Sequence, residues 1–360
     1  MERGETVKSI ISSAVHTDQK VENSKIEEFD APKITVIGCG GAGCNAVNRL
    51  AKMNIQGADL TALNTDKQHL AMIDDGITKV LIGKSVTRGL GAGGYPEIGA
   101  KAAEVSKNEL VQLLDGVDML FISAGMGGGT GTGAAPIVAE IAKEQGAIVV
   151  SIVTYPFSLE RSRLVLAEDG IKKLSEFSDT VVVIDNNRLV ELVPNLPIQD
   201  AFKVADELIA RTVRGITETI TQPSLINLDF ADIRSVMSGH GLSLIAVGES
   251  QSVDKVHDAV EDTLSNTLLD VDIAGASGVL IHITGGPDLT LGEANEVGEL
   301  LTARIDAKAQ VIWGARVDNT FENKIEVIAI FTGVNSPYIT GLAKKEEMPA
   351  HDREFGLKSL

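Results

Sequence analysis

The stretch GMGGGTGTGAAP, residues 125–136, holds six glycines and two threonines in its first nine residues. Glycine loses more backbone entropy on folding than any other residue, about 0.5–1 kcal/mol relative to alanine inside a regular element. The stretch follows the apolar run VDMLFIS, residues 117–123, and leads into helix-forming sequence at residues 134–143. A loop between a buried strand and a helix lies at the sheet edge where open α/β proteins bind ligands. The composition therefore indicates a backbone that approaches a ligand closely.

The rest of the first half repeats the same rhythm of strands and helices. Six apolar runs are predicted strands, at residues 33–38, 59–64, 78–82, 117–123, 147–154 and 180–185. Predicted helices separate them, at residues 42–53, 97–114 and 134–143 and again between the last two strands. Strands that alternate with helices form right-handed βαβ units and a parallel sheet. The predicted fold class is α/β, with a Rossmann-like parallel sheet in the first domain.

The second half begins with a long helix. Apolar residues keep a spacing of three to four from residue 198 to residue 221, which predicts a central helix between two lobes. A smaller α/β domain with a mixed sheet follows, with strands at 242–248, 278–284, 309–315 and 324–334, helices at 253–265 and 291–303, and antiparallel last strands. The predicted domains are an N-terminal extension that can form a short amphipathic helix (1–31), a ligand-binding domain (32–197), the central helix (198–222), the second domain (223–335), and a flexible linker with a terminal peptide (336–360).

Composition and charge narrow the range of functions. The formal net charge of −18 opposes binding to nucleic-acid phosphates, so no nucleic-acid partner is expected. The sequence has no run of about 18 apolar residues, which predicts that the chain does not span a membrane. Cys39 and Cys44 are expected to fill a loop rather than to bind a metal or form a disulfide framework. A cytoplasmic location follows as the expectation.

A second glycine loop follows the first predicted strand. The run IGCGGAGCNAV places Gly38, Gly40 and Gly43 in the spacing G-x-G-x-x-G at the start of a predicted helix. Asp66 lies at the end of the next predicted strand, as in dinucleotide-binding folds. Taken alone, this pattern favours a dehydrogenase-like site for NAD or FAD, which is the first alternative.

Three glycine loops on one sheet edge favour a nucleoside triphosphate instead. The third loop is GLGAGGYPE, residues 89–97. Successive N–H groups of residues 127–133 can surround an anion, with Thr130 and Thr132 as hydroxyl donors. The chain has no G-x-x-x-x-G-K-[ST] motif, so no lysine is placed on the β- and γ-phosphates. Backbone dipoles and Mg²⁺ are expected to balance the phosphate charge, with the metal held through phosphates and water rather than by direct protein ligands.

The predicted central helix carries a candidate pair for reading the base. Phe202 and Asp206 lie four residues apart and therefore share one helix face. A phenyl ring can stack on a purine, and a carboxylate can accept from both N1–H and N2–H₂ of guanine. Adenine has no such pair of donors, so the arrangement favours GTP. From the residues alone, a core Phe202 and a solvated Asp206 are the simpler interpretation.

The segment NLDFADIR, residues 227–234, supplies the acidic groups that the glycine loops lack. Asp229 and Asp232 share a face if the segment is helical. Hydrolysis of a γ-phosphate requires a positioned water and a group that polarises it, and the glycine loops contain no general base. A role for Asp232 as the N-cap of the following helix is compatible with this interpretation.

These motifs together resemble the tubulin/FtsZ superfamily. The run GGGTGTG matches its signature, and the runs GCGGAGCNAV, LNTD, GLGAGG and NLDFADIR occur in the family's order within residues 32–334. The segments GHGLSL and TYPFSLERSR resemble archaeal more than bacterial members. The resemblance implies a GTPase domain, a long central helix and an activating second domain.

The resemblance also assigns the residues that contact GTP. They are Gly40, Gly41, Ala42, Asn45, Asn64, Asp66, Ala92, Gly93, Gly94, Gly127, Gly128, Gly129, Thr130, Gly131, Thr132, Gly133, Glu160, Arg163, Asn186, Phe202 and Asp206. Glu160 and Arg163 resemble the ribose-contacting pair, in a loop one residue shorter than in common bacterial members, which leaves their register open. Asp206 stands where many relatives have asparagine.

The family's activity implies an active site shared between molecules. Head-to-tail polymerisation would bring Asp229, Asp232 and Asn227 of one subunit to the GTP of the next. The implied cations are Mg²⁺ and, as a second candidate, K⁺. The implied location is the cytoplasm, in a division ring at midcell beneath the membrane, and the tail FGLKSL loosely resembles peptides that bind membrane adaptors. A GTP-binding regulator without a filament is the remaining alternative.

Overall fold

The structure is a computed structural model, and it describes residues 32–221, 230–237, 241–265 and 273–334. The predicted N-terminal extension and terminal peptide lie outside these residues. Asn227 and Asp229 also lie outside them.

Ten strands form one continuous sheet within the described residues. They are β1 (Ile34–Cys39), β2 (Ala58–Asn64), β3 (Thr78–Leu81), β4 (Met119–Gly125), β5 (Ile148–Tyr155), β6 (Thr180–Asp185), β7 (Gly241–Ser250), β8 (Gly278–Gly285), β9 (Gln310–Val317) and β10 (Ile325–Val334). Their order across the sheet is β3-β2-β1-β4-β5-β6-β7-β10-β8-β9.

The first six strands are parallel and follow the order of a doubly wound fold. All six residues of β1 are buried, because helices cover both faces of a parallel sheet. Neighbouring residues of β1 belong to different core clusters, Ile37 to one and Val36 to the other, because successive side chains point to opposite faces of the sheet. The predicted α/β class with a Rossmann-like sheet is confirmed.

Helices connect the strands. They are α1 (Gly40–Lys52), α2 (Lys67–Ala71), α3 (Lys84–Thr87), α4 (Pro96–Val105), α5 (Lys107–Leu113), α6 (Thr130–Glu144), α7 (Arg161–Phe177), α8 (Asn186–Leu192), α9 (Ile198–Thr221), α10 (Phe230–Met237), α11 (Lys255–Ser265) and α12 (Leu291–Thr302). The central helix α9 has the bounds that its apolar spacing predicted, because its buried stripe packs on the sheet and on α1. The short helices α2, α3 and α8 were not predicted, since one or two turns carry too little periodicity.

The predicted helix 97–114 is two helices, which meet at Ser106. The backbone of Ser106 is not helical, with φ −101° and ψ 11°. Its hydroxyl accepts a hydrogen bond from the Gly83 amide at 3.0 Å. A serine side chain that bonds to a distant backbone group in this way competes with helix continuation.

The sheet of the second half is mixed, as predicted, and joins that of the first half. Strand β7 pairs in parallel with β6 over three residues, from Thr180 opposite Gly241 to Val182 opposite Ser243. Strand β10 runs antiparallel to both β7 and β8. Strand β9 is parallel to β8, so the expectation that the last strands are antiparallel is correct for β10 and wrong for β9. The sequence did not predict that one sheet runs through both halves.

Candidate nucleotide site

A cleft opens at the carboxyl ends of the parallel strands, where the strand order reverses between β1 and β4. Open α/β sheets bind ligands at this switch point. The cleft has a volume of about 580 Å³. It is lined by Gly41, Ala42, Asn45, Gly125, Met126, Gly128, Gly129, Thr130, Gly131, Thr154, Pro156, Phe157, Glu160, Arg163, Asn186, Phe202, Ala205 and Asp206. Twelve of these residues belong to the set that the sequence predicted to contact the ligand. The lining, as far as the structure describes it, includes no lysine.

Two helices begin at the floor of the cleft. Helix α1 starts at Gly40, directly after β1, and α6 starts at Thr130, after β4. A Cβ on Gly40 would lie 2.8 Å from the amide nitrogen of Gly131, so the two N-termini are in close contact. Helix N-termini present unpaired N–H groups and a positive dipole end, which favour an anion. The floor of the cleft is therefore suited to phosphate without a basic side chain.

The glycine stretch is divided between a turn and a helix. We expected a loop over residues 127–133 and a helix from residue 134, but α6 begins at Thr130, and the Gly133 amide donates to the Gly129 carbonyl at 3.0 Å. Gly127 has φ +88° and a Cβ there would lie 2.7 Å from the Arg163 carbonyl oxygen. Anion contacts are thus available from the turn and from the first helical turn, rather than from a seven-residue loop.

The last two residues of that stretch face away from the cleft. Thr132 is buried, and its methyl group would lie 2.4 Å from a Cβ placed on Gly170 of α7. A Cβ on Gly133 would lie 2.0 Å from the Pro96 carbonyl oxygen of α4. Thr132 is not on the cleft lining, and its buried hydroxyl has no hydrogen-bond partner among the described residues, while Gly133 is required by helix packing.

The glycine loop at residues 89–97 lies against the glycine stretch at residues 125–136. A Cβ on Gly129 would lie 2.7 Å from the Ala92 Cβ and 3.2 Å from the Gly94 amide nitrogen. Gly93 belongs to the same turn, with φ +62°. The loop over residues 92–94 thus covers the phosphate end without appearing on the cleft lining itself.

Residues at the carboxyl end of β2 hold these loops in place. The Asn64 side chain is buried, and its Oδ1 accepts from the amides of Thr65 at 2.8 Å and Asp66 at 3.3 Å. The Thr65 hydroxyl is 2.6 Å from the Thr130 hydroxyl on α6. Asp66 caps α2 and accepts from the amide of Gln68 at 2.8 Å. The contacts within the chain give Asn64 and Asp66 a positioning role beside the cleft.

The other end of the cleft is partly apolar and includes the predicted base-reading pair. The Phe202 ring stands edge-to-face against Phe157, with centroids 5.8 Å apart and an angle of 64° between the planes. Burial raises the pKa of Asp206 to about 6, while Arg49 opposes this shift. The Asn186 Oδ1 is buried and has no hydrogen-bond partner among the described residues. A planar base with N–H donors would fit between these groups and satisfy the amide oxygen.

Glu160 and Arg163 form a pair on the rim. The Arg163 Nη1 donates to the Glu160 Oε2 at 2.6 Å, and the Phe157 amide donates to the Glu160 Oε1 at 3.1 Å. Both carboxylate oxygens of Glu160 therefore have partners. The pair can offer hydroxyl-binding groups to a sugar at the start of α7.

Six residues of the lining were not in the predicted set: Gly125, Met126, Thr154, Pro156, Phe157 and Ala205. Thr154, Pro156 and Phe157 lie at or just after the carboxyl end of β5. Thr154, Pro156 and Phe157 carry no glycine motif, and their signal was their place at the end of a predicted parallel strand, whereas Gly125, Met126 and Ala205 lie within two residues of predicted ones.

Asp232 lies at the opposite edge of the sheet. It is the third residue of α10 and is exposed, so it belongs to the first helical turn and is not the N-cap of that helix. Helix α10 contacts β5, β8 and β9. The Arg234 Nη2 donates to the carbonyl of Gly146, in the turn before β5, at 3.4 Å.

Within the described residues, no group of three or more His, Cys, Asp or Glu side chains is placed to hold a metal ion. No helix in the same part of the chain is long and apolar enough to cross a membrane.

Comparison with known proteins identifies the family. The GTPase domain of the Tubulin/FtsZ family matches residues 33–194, and the C-terminal domain of the FtsZ family matches residues 241–335. The chain belongs to the tubulin/FtsZ family and is a GTPase of that family. This decides against the NAD or FAD alternative, and the predicted family is confirmed.

Similar proteins extend over almost the whole chain. The cell division protein FtsZ 2 of Methanocaldococcus jannaschii is 61% identical over 318 residues, which are 88% of this chain and 83% of the relative. The cell division protein FtsZ 2 of Halobacterium salinarum is 53% identical over 329 residues, 91% of this chain and 84% of the relative. A solved structure described as an empty FtsZ dimer from M. jannaschii has a TM-score of 0.80 at 46% identity, and covers 91% of this chain and 92% of that chain. The predicted resemblance to archaeal members is confirmed.

Proposed function

We propose that the chain polymerises head to tail and hydrolyses GTP at the contact between successive subunits, and that the filament acts in cell division. The named relatives support the cell-division role, and the FtsZ dimer supports self-association.

One observation carries the shared active site. The cleft includes Thr154 at the carboxyl end of β5, whereas Arg234 of α10 binds the carbonyl of Gly146 before the amino end of β5. Eight residues of extended chain separate the two ends by about 25 Å. Asp232, two residues before Arg234, therefore cannot reach the cleft of its own subunit. Only a second copy, stacked with its α10 end on this cleft, can bring Asp232 to the nucleotide.

The chemistry of hydrolysis fits this arrangement. The γ-phosphate needs a water in line with the leaving oxygen and a group that accepts or polarises its proton. Asp232 and Asp229, assisted by Asn227, would position that water from the neighbouring subunit. The contact joins two different surfaces and does not close on itself, so it generates a filament.

The cleft residues then take distinct roles. Backbone amides at the starts of α1 and α6 hold the phosphates. Glu160 and Arg163 contact the ribose, Phe202 stacks on the base, and Asp206 and Asn186 pair with its edge. Mg²⁺ bound through phosphates and water, with K⁺ as a second candidate, would offset the phosphate charge. Asn64 and Asp66 are the side chains that would bind the water shell.

The proposal extends to location and partners. The filament would assemble in the cytoplasm at midcell beneath the membrane, with adaptor proteins bound to the terminal peptide at residues 336–360. The domain boundaries at residues 32–197, 198–222 and 223–335 belong to the same proposal. No nucleic acid takes part.

The test is the dependence of GTP turnover on protein concentration, with sedimentation of the same samples. Turnover per subunit should be near zero below a threshold and rise steeply above it, together with the pelleted fraction. A rate per subunit that is constant from the lowest dilution would contradict the shared site. Saturable GTP binding with no sedimentable polymer would instead indicate a regulator that forms no filament.

Asp232→Ala tests the catalytic assignment. The variant should bind GTP and sediment as the unmodified chain does, and turnover per pelleted subunit should fall by about 10²-fold or more. Asp169→Ala on α7 is the matched control, since Asp169 is also an exposed helical carboxylate. Normal turnover by Asp232→Ala in intact polymer would refute the role.

A further inference from the structure

Arg211 of α9 binds three carboxylates from two parts of the molecule. Its Nε donates to Glu207 on the same helix at 3.2 Å, and its Nη1 donates to Glu249 on β7 at 2.8 Å. The same Nη1 is 3.5 Å from Glu326 on β10. We call these four residues the Arg211 cluster.

The cluster is connected to the floor of the cleft. Arg49 donates to Glu207 from both Nε, at 2.7 Å, and Nη2, at 2.5 Å. Arg49 lies in the last turn of α1, the helix whose first turns line the cleft. Helix α9 lines the other end of the cleft with Phe202 and Asp206. Helices α1 and α9, which both line the cleft, therefore meet at Glu207.

Charged side chains bridge α9 and β7 beside Arg211. A groove of about 580 Å³ lies here, and its apolar lining is Val193, Val204, Leu208 and Val247. Apolar packing also joins α9 to the sheet, since Ile209 and Val213 belong to the same core cluster as Ile245 of β7, and the ion pairs of Arg211 add a polar link across the groove. One turn further on, a Cβ on Gly215 would lie 2.4 Å from Ile328 of β10.

The environment of Glu326 makes the link specific. Glu326 is 4% exposed, and burial raises its pKa, while Arg211 and Arg214 oppose that shift. A buried carboxylate that loses its cation is strongly destabilised. Any displacement of Arg211 must therefore be followed by β10 or leave Glu326 without its closest arginine.

We propose that Arg211 is a positioning residue that couples nucleotide occupancy of the cleft to the strands of the second half. The proposal rests on the nucleotide site proposed above. Asp206 and Arg211 are five residues apart on one rigid helix, about 7.5 Å along its axis. A base that engages Phe202 and Asp206 fixes the position of α9, and Arg211 transmits that position to β7 and β10. Since α10 packs on β8, beside β10, the end that carries Asp232 responds to the nucleotide at the other end.

Hydrogen exchange of the full chain, with and without GDP, tests this coupling. Protein is held at a dilution where nothing sediments, so filaments contribute nothing to the signal. In the unmodified chain, GDP should slow exchange of α9 and, by about threefold or more, of β10 (Ile325–Val334). The double variant Arg211→Met with Glu326→Gln removes the cluster without leaving a buried charge. It should bind GDP with an affinity within about threefold of the unmodified chain and keep the protection of α9, while the response of β10 disappears.

Two further variants separate coupling from general damage. Lys173→Met breaks an exposed pair with Asp169 on α7 and should respond as the unmodified chain does. Arg211→Lys keeps one charge but cannot span three carboxylates, so part of the β10 response should return. An equal β10 response in the double variant, or no β10 response in the unmodified chain, would overturn the proposal. If the unmodified chain showed the response yet never sedimented with GTP, the coupling would stand and the filament proposal would fail.

Discussion

At the scale of single residues, Asp206 links the binding site to pH. Burial raises its pKa to about 6, and reading guanine N–H donors requires the ionised carboxylate. Protonation therefore competes with GTP, and affinity should fall about tenfold between pH 7 and pH 5. Asp206→Asn should bind GTP with almost no pH dependence in this range. Fluorescent-nucleotide titrations at several pH values measure both, and an equal slope in the two proteins would contradict the role.

His282 affects stability through its protonation. Burial, with Arg316 and Arg214 nearby, lowers its pKa to about 4. The unfolded chain binds a proton on this residue below about pH 6.5 and the folded chain does not, so stability falls as the pH decreases. The free energy of unfolding should fall by about 2 kcal/mol from pH 7 to pH 5 through this group. Denaturant titrations of the unmodified chain and His282→Gln at both pH values test this, and an unchanged pH dependence in the variant would contradict it.

Single residues also mark where sequence reasoning reached its limit. Phe202 and Asp206 line the same cleft, because spacing on a long helix determines which residues share a face. Thr132 was expected beside Thr130 as a phosphate donor, yet it is buried against Gly170. Its direction depends on the residue at which α6 begins, and helix starts are poorly specified by sequence.

At the scale of elements, the glycines of α6 and of the turn before it serve two different purposes. A Cβ on Gly133 would meet the backbone of α4 at 2.0 Å, whereas a Cβ on Gly128 would meet nothing within 4 Å. Gly133→Ala should lower the free energy of unfolding by about 1–3 kcal/mol, because α4 and α6 must move apart. Gly128→Ala should leave stability within about 0.5 kcal/mol and weaken GTP binding, because its methyl group enters the cleft.

Denaturant unfolding and nucleotide titration of both variants separate these roles. Equal losses of stability would show that Gly128 is also required by packing. Unchanged GTP affinity in Gly128→Ala would show that the turn does not approach the phosphates.

The bounds of an element could be predicted well where its apolar periodicity extends over many residues. They were predicted poorly where a hydrogen bond between distant residues determines where the element ends. The 24 residues of α9 were predicted to the residue, since a buried stripe extends over its whole length. The break at Ser106 could not be, because it depends on a hydrogen bond to Gly83. The pairing of β6 with β7 is likewise a contact between residues about 60 positions apart, which local pattern does not encode.

At the scale of the whole molecule, charge opposes assembly. Each subunit carries a formal net charge of −18, so stacking like-charged copies is repulsive at low ionic strength. Salt screens such repulsion beyond a Debye length of about 10 Å at 0.1 M. The threshold concentration for GTP-dependent sedimentation should therefore fall as NaCl is raised from about 0.05 to about 0.3 M. A threshold that rises with NaCl would indicate that attractive ion pairs control the contact, and replacing NaCl by KCl isolates any specific effect of K⁺.

The position of β10 has a consequence for how the protein is made. The last strand of the described residues lies between β7 and β8, which are not neighbours without it. The six parallel strands of the first half can close while the rest of the chain is still being synthesised. Until residue 334 has left the ribosome, β7 can pair only with β6 and β8 only with β9, so both remain unpaired along the edges that β10 will occupy. A chain that stops before residue 325 would keep its nucleotide cleft. It would still contain Asp232, but the second half that positions this residue would lack the strand that joins β7 to β8.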